Sequence, residues 1–184
     1  MQWVFASASP RRKQLLRDII DEFDIIPAKG EENANGARSP KELVEMLAQQ
    51  KAREVAALSK AYGKAVLGAD TVVALDGEIL GKPIDRADAI RMLTALSGRT
   101  HEVYTGVCVI FPDRVEKTDC ACTKVVFNRL DKEQIEAYVQ SGSPMDKAGA
   151  YGIQDGNLVE RIEGSFSNVV GLPVELCREM MQEK

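Results

Sequence analysis

Apolar positions along this chain recur with two periods, near 2 and near 3.6, and their alternation lays out a mixed α/β order. Residues 3–5, Trp-Val-Phe, read as a short buried strand. Ser9 and Pro10 then suit the N-cap and first helical position, and Leu15, Leu16, Ile19 and Ile20 repeat at helical spacing behind them. Residues 23–27 predict a second short strand, and the polar, glycine-bearing 29–38 a loop. Ser39-Pro-Lys-Glu42 is a capping box that opens a helix to about residue 59, with Leu43, Leu47, Val55 and Leu58 as its apolar stripe. Residues 65–75 are the most apolar stretch and rich in β-branched side chains, so they predict a central strand. Asp76-Gly77 is a hairpin signal that returns 78–80 antiparallel to it. A helix follows over 85–97, with Asp85 as N-cap and Gly98 as its stop. Two long strands, 100–111 and 115–127, form an antiparallel ribbon. Asp131 with Gln134 caps a helix closed by Gly142, and a short strand at 159–162 precedes a last helix ending at Met180 and Met181. No repeat or linker interrupts this order, so a single domain over 1–184 is expected.

One charge breaks the central strand. A carboxylate at Asp70 must be hydrogen-bonded, bound to a cation, protonated, or exposed in a cleft, and Gly68 with Ala69 suggests a bulge that opens the strand there. Ser7-Ala-Ser9-Pro-Arg11-Arg12 carries free helix N–H groups, two hydroxyls and two guanidinium groups to one helix start, which is an anion cradle. The same residues also suit an ordinary capped helix with two solvated arginines. Glu31 and Glu32 are candidates for metal or water handling, or a solvated acidic loop. Lys51, among Ala48, Ala52 and Ala56, either reaches around its helix into a cleft or snorkels to water. Lys82 in Gly81-Lys-Pro83 can point a charge into the same cleft. The stretch 77–83 lacks both the spacing of a P-loop and its Ser or Thr. The glycine-punctuated segment 146–154, with Gln154 at its end, suits a pocket wall or a surface loop.

Composition narrows the class. A chain of 184 residues, 45% apolar and 28% charged, suits a globular core, and a formal charge of −4 argues against nucleic-acid or anionic-membrane binding while leaving room for a local phosphate site. Cys108, Cys120, Cys122 and Cys177 form no C-x-x-C pair and His101 is the only histidine, so they are expected as reduced core residues without zinc. No signal peptide or apolar run of about 20 residues is present, and a cytoplasmic location is expected.

Six segments in line, Ser7-Ala-Ser-Pro-Arg-Arg12, Gly68-Ala-Asp-Thr-Val-Val73, Gly81-Lys-Pro83, Ser97-Gly-Arg-Thr-His-Glu-Val-Tyr-Thr-Gly106, Asp146-Lys-Ala-Gly-Ala-Tyr-Gly-Ile-Gln154 and Ser167-Asn-Val-Val-Gly-Leu-Pro173, resemble the Maf family of nucleotide pyrophosphatases. The resemblance implies an α/β fold similar to inosine triphosphate pyrophosphatases: an elongated mixed sheet flanked by helices, with a nucleotide cleft between two lobes. It implies hydrolysis of a nucleoside triphosphate to the monophosphate and pyrophosphate with a divalent metal cation, Mg2+ or Mn2+, and a possible homodimer. Asp70 matches the catalytic aspartate, and Glu32 the carboxylate that shares the metal with it. Ser7, Ser9, Arg11, Lys51 and Lys82 fall on the substrate side, and Arg12, Thr71 and Gln154 match positions tied to base choice in the branch acting on dTTP and UTP. Residues 155–158 look about two residues shorter than the family's usual loop. An association of the family with septum formation supplies the rival reading, a nucleotide sensor that does not cut its ligand.

Overall fold

The computed structural model describes residues 1–33 and 35–182; Ala34, inside the predicted polar loop, lies outside them. Among the described residues seven strands form one mixed sheet: β1 (Trp3–Phe5), β2 (Asp24–Ile25), β3 (Ala65–Leu75), β4 (Glu78–Leu80), β5 (Thr100–Ile110), β6 (Glu116–Phe127) and β7 (Val159–Glu163). Their order is β2-β1-β3-β5-β6-β7, with β4 also on β3. β1 runs parallel to β2 and β3, and the other pairs are antiparallel. Among the described residues six α-helices flank the sheet: α1 (Pro10–Arg17), α2 (Pro40–Ala56), α3 (Arg86–Leu96), α4 (Lys132–Gln140), α5 (Phe166–Val170) and α6 (Val174–Met180).

Local chemistry sets the element ends. Ser9, Ser39, Asp85 and Asp131 each accept a hydrogen bond from the backbone N–H three residues on, and Asp131 with Gln134 completes a capping box; each such cap is worth about 1 kcal/mol. Asp76 and Gly77 take φ of 52° and 82°, the left-handed pair that a two-residue hairpin requires.

The pairing of β3 creates the cleft. Its residues 65–67 bond β1 and 73–75 bond β4 on one edge, while its other edge is paired to β5 from 66 to 74. On the first edge, residues 68–72 have no strand partner among the described residues. The sheet therefore opens there, and side chains from both its faces border the gap. On one face α2 lies unusually close. A Cβ on Gly68 would sit 2.5 Å from the Ala48 carbonyl oxygen, and one on Gly106 would sit 2.3 Å from that of Val44. Asp70 is opposite Gly106 in register and shares the face of Gly68, so the helix passes directly over its carboxylate.

Apolar side chains divide around this gap. One cluster gathers Phe5, Leu16, Leu67, Val107 and Leu172, another joins Val4, Ala48, Ala52 and Val66, and a third lies beyond the gap around Leu93, Leu96, Phe127, Ile135 and Tyr151. This is the expected two-lobed α/β architecture.

Three expectations need correction. The β3–β5 ladder is continuous through Gly68 and Ala69, so there is no bulge at Asp70; the missing side chain at Gly68 serves the approach of α2 instead. The register shift in the sheet falls elsewhere, between Val126 and Phe127 of β6 where it pairs with β7. The last helix, α6, ends at Met180 with Met181 as its cap, as expected, and a short further helix, α5, precedes it across the turn made by Gly171 at φ 126° and Pro173. Of the four free cysteines only Cys108 and Cys177 are buried; Cys120 is half-buried and Cys122 exposed, and Leu58 lies beyond α2, also exposed. Among the described residues no helix is long and apolar enough to cross a membrane.

Candidate active site

The gap in the sheet leads into a cavity of about 990 Å³, at the upper end of the range for small-molecule sites. Of the residues singled out from the sequence, Ser7, Ser9, Arg11, Arg12, Glu32, Lys51, Asp70, Thr71, Lys82 and Gln154 line it, and Glu31 does not.

Its charged wall centres on Lys51. The Nζ atom sits 2.8 Å from a Glu32 oxygen and also bonds the carboxylate of Asp70, so one ammonium lies between two carboxylates. The small-residue seam of α2, with Ala48 and Ala52 fully buried, lets the helix approach near enough for Lys51 to reach across. Glu32 is brought in by α2 as well. Glu54 accepts the N–H groups of Lys29 and Gly30, while Gln50 accepts from Asn33 and donates to the Glu31 carbonyl. These contacts pin the loop so that Glu32, not Glu31, meets Lys51. The hydrogen bond from Lys51 holds the Glu32 carboxyl below its ordinary range against the opposing effect of burial, helped by Lys82 and Arg12. Asp70 is 8% exposed, and Lys51 answers the question that the sequence raised about a carboxylate in a core strand.

Beside it, Ser7 accepts from the Ser9 N–H and Ser9 caps α1. Arg11 reaches across the mouth to Asp146 at 3.1 Å. Arg12 turns the other way: its Nε donates to the Gly171 carbonyl at 2.7 Å and its Nη2 to the Thr71 hydroxyl at 2.8 Å. Burial pulls this guanidinium below its ordinary pKa, with Asp70 pulling it back, and arginine keeps its proton regardless. The Thr71 hydroxyl lies 2.9 Å from that of Thr105, which bonds the Asn168 carbonyl. Arg12 and Thr71, both tied to base choice by resemblance, are thus bound to each other.

The facing wall comes from the segment after α4, residues 146–155. Tyr151, Ile153 and Gln154 line the cavity there, and Tyr151 packs edge-on against His101 and Phe127 with ring centroids 5.3 and 4.7 Å away. His101 is 2% exposed with Nε2 2.7 Å from the Tyr151 hydroxyl, and burial pushes its pKa down to about 4. Its Nδ1 finds no partner among the described residues. A neutral ring with the proton on Nε2 leaves an unpaired acceptor there, which costs less than an unpaired N–H. Lys147 and Tyr151, inside the segment 146–154 whose sequence suits either a pocket wall or a surface loop, line the cavity, and so does Asp155, just beyond it, which the sequence does not single out. A Cβ on Gly152 would stand 2.8 Å from an Asp155 oxygen and 2.9 Å from Lys147.

This geometry has relatives. The family described as Maf-like protein matches residues 2–184. A dTTP/UTP pyrophosphatase from Thermococcus gammatolerans is 50% identical over 181 residues, covering 97% of this chain and 95% of that protein. One from Bacillus velezensis is 47% identical over 182 residues, covering 98% and 95%. Among solved structures, a HAM1 protein from Coxiella burnetii matches at a TM-score of 0.55 and 17% identity over 98% of each chain, a likeness of fold alone. The match runs from the first strand through the final helix and takes in the cradle, the carboxylate pair and the facing wall together, so this chain belongs to the Maf family.

Proposed function

We propose that this Maf protein hydrolyses dTTP and UTP to the nucleoside monophosphate and pyrophosphate with a divalent cation, Mg2+ or Mn2+. The observation that carries the reading is the convergence of Glu32 and Asp70 on one ammonium at the edge of a cavity that also receives a helix N-terminus. The relatives named dTTP/UTP pyrophosphatase support the substrate class at about half identity over nearly their whole length.

The donor set suits such a cation. Two carboxylates face one positive point at the cavity wall, and magnesium takes one or two carboxylates together with phosphate oxygens rather than a full protein cage. When bound by Glu32 and Asp70, the cation supplies neutralisation of the charge that builds on the phosphates. The protein's own groups do the rest. The free N–H groups of α1, with Ser7 and Ser9, receive phosphate oxygens at the positive end of the helix dipole. Lys82 and Arg11 add charge at the rim, and Lys51 turns from its carboxylates toward the phosphates. Asp70 orients the attacking water and takes its proton as the α-phosphorus is attacked and pyrophosphate leaves. Gln154 offers an amide to the base edge, while Arg12 and Thr71, held by Gly171 and Thr105, form the wall beside it.

Measuring pyrophosphate released from dTTP, UTP, CTP, ATP and GTP, with Mg2+ or Mn2+ and with a chelator, tests this. The expected result is release from dTTP and UTP that the chelator abolishes. Tight nucleotide binding without release would convert the protein into the sensor of the rival reading.

A further inference from the structure

Gln154 sits inside a four-residue turn, Gly152-Ile-Gln-Asp155, closed by the Asp155 N–H donating to the Gly152 carbonyl at 3.0 Å. Both ends of that turn are tied to one atom. The Tyr138 hydroxyl of α4 accepts from the Gly152 N–H at 3.0 Å and donates to Asp155 Oδ2 at 2.8 Å. Ser143 donates to the same carboxylate oxygen at 2.6 Å, and Lys147, bonded to Ser143 and Asp146, stands 3.5 Å from it. Burial works against the Asp155 charge, yet the hydrogen bonds from Ser143 and Tyr138 outweigh it and hold the carboxyl below its ordinary range. Gly152 has to be glycine for this to close, because a Cβ there would collide with the Asp155 carboxylate and the Lys147 stem. The side chain of Gln154, by contrast, makes no hydrogen bond to the described residues and lines the cavity beside the turn.

We infer that Asp155 and Tyr138 form a specificity clamp: they hold the turn carrying Gln154 at one place and angle, and so set the discrimination between a uracil or thymine base and a cytosine base. This rests on the proposed reading of the cavity as a triphosphate site with Gln154 at its base end. The chemistry asks for such a device. A uracil or thymine edge presents an N–H donor beside a carbonyl, whereas a cytosine edge presents an acceptor beside an amino group. A glutamine amide has one donor side and one acceptor side, and turned by 180° it pairs with either edge. Its identity alone therefore does not choose. A fixed mount does: the bonds of Asp155 and Tyr138 set where the Gln154 backbone stands and so from which side its side chain meets the base, and an edge met from the wrong side leaves donors and acceptors unpaired, which is what a site discriminates with. Asp155 and Tyr138 are positioning residues in this account.

The test compares pyrophosphate release from dTTP, UTP and CTP by the wild type and by Asp155→Ala, Asp155→Asn and Tyr138→Phe. Asp155→Ala is expected to lower the ratio of kcat/KM for dTTP over CTP by about tenfold or more, through KM, with kcat on dTTP within about twofold of wild type. Asp155→Asn keeps an oxygen that accepts from both hydroxyls and should restore most of the ratio. Tyr138→Phe keeps the ring but unties both ends of the turn, and should reproduce the alanine effect if the alanine variant does not fold. An unchanged ratio in folded Asp155→Ala or Tyr138→Phe, or a loss that falls on kcat alone, overturns the clamp. A wild type that releases no pyrophosphate from any of the three overturns the hydrolase reading instead, and the two failures are thereby distinguished.

Discussion

The two walls of the cavity are built by opposite strategies. The wall under α2 is held by backbone proximity: glycines at 68 and 106 let a helix press onto the sheet, and the charges of Lys51, Glu32 and Asp70 satisfy one another. The facing wall is held by side chains. An aromatic triad of His101, Phe127 and Tyr151 and the hydroxyl bridge of Tyr138 support a loop that lies outside any long helix or strand. In the proposed reading the chemistry is mounted on the wall fixed by backbone contact, and the base is met by the wall fixed through particular polar atoms. The charged wall should tolerate no backbone change and the aromatic wall no loss of particular polar atoms.

The largest effect should come from Asp70→Asn. Asparagine keeps the shape and an oxygen for Lys51 but removes the proton acceptor, so kcat is expected to fall by about 10³ with base preference and melting temperature nearly unchanged. Steady-state pyrophosphate release and thermal unfolding on the same preparation check it, and turnover near wild type would remove Asp70 from the chemistry. Next is Gly106→Ala. Its Cβ would press on the backbone of Val44, which gives way only if α2 moves, and a loss of about 3 kcal/mol in denaturant unfolding is expected. An alanine variant as stable as wild type would mean that the approach of α2 is loose.

A smaller effect tests the aromatic wall through pH. The His101 pKa near 4 lies below the ordinary value of 6.5, so between them the unfolded chain binds more protons than the folded one. The stability contribution is therefore complete above about pH 6.5 and is lost as the pH falls toward 4. Taking those two pKa values, this one residue should account for about 2 kcal/mol of destabilisation between pH 7.5 and pH 5. His101→Phe should flatten that part of the stability profile, and an unchanged slope would mean the histidine is accessible to protons. The smallest change is Thr105→Val. Removing the hydroxyl that meets Thr71 should loosen the Arg12 contact and raise KM by about threefold, roughly the worth of one neutral hydrogen bond. It should leave kcat alone.

The charged wall was also the more legible in the amino-acid sequence. A carboxylate in an apolar strand is conspicuous because of its desolvation cost, and a serine-proline-arginine helix start is a local pattern complete within a few residues. Even so, neighbouring residues did not reveal that Lys51 would be the partner of Asp70, since 19 positions and a helix separate them. Nor could the bulge expected at Gly68 be told from a contact glycine, because both uses remove the same side chain. The facing wall was nearly silent. Asp155, Tyr138 and Ser143 are ordinary polar residues whose spacing carries no period, and their meaning appears only when three segments meet.

Element order, caps, hairpin, strand Asp70 and the family likeness follow from the chain's own residues, because propensity, capping and apolar period act over a few positions. The opening in the sheet, the ammonium between two carboxylates and the bracketed turn were decided by the tertiary structure. They depend on strand register and on helix approach, distances that arise from packing across the whole fold and are written in no single stretch of it.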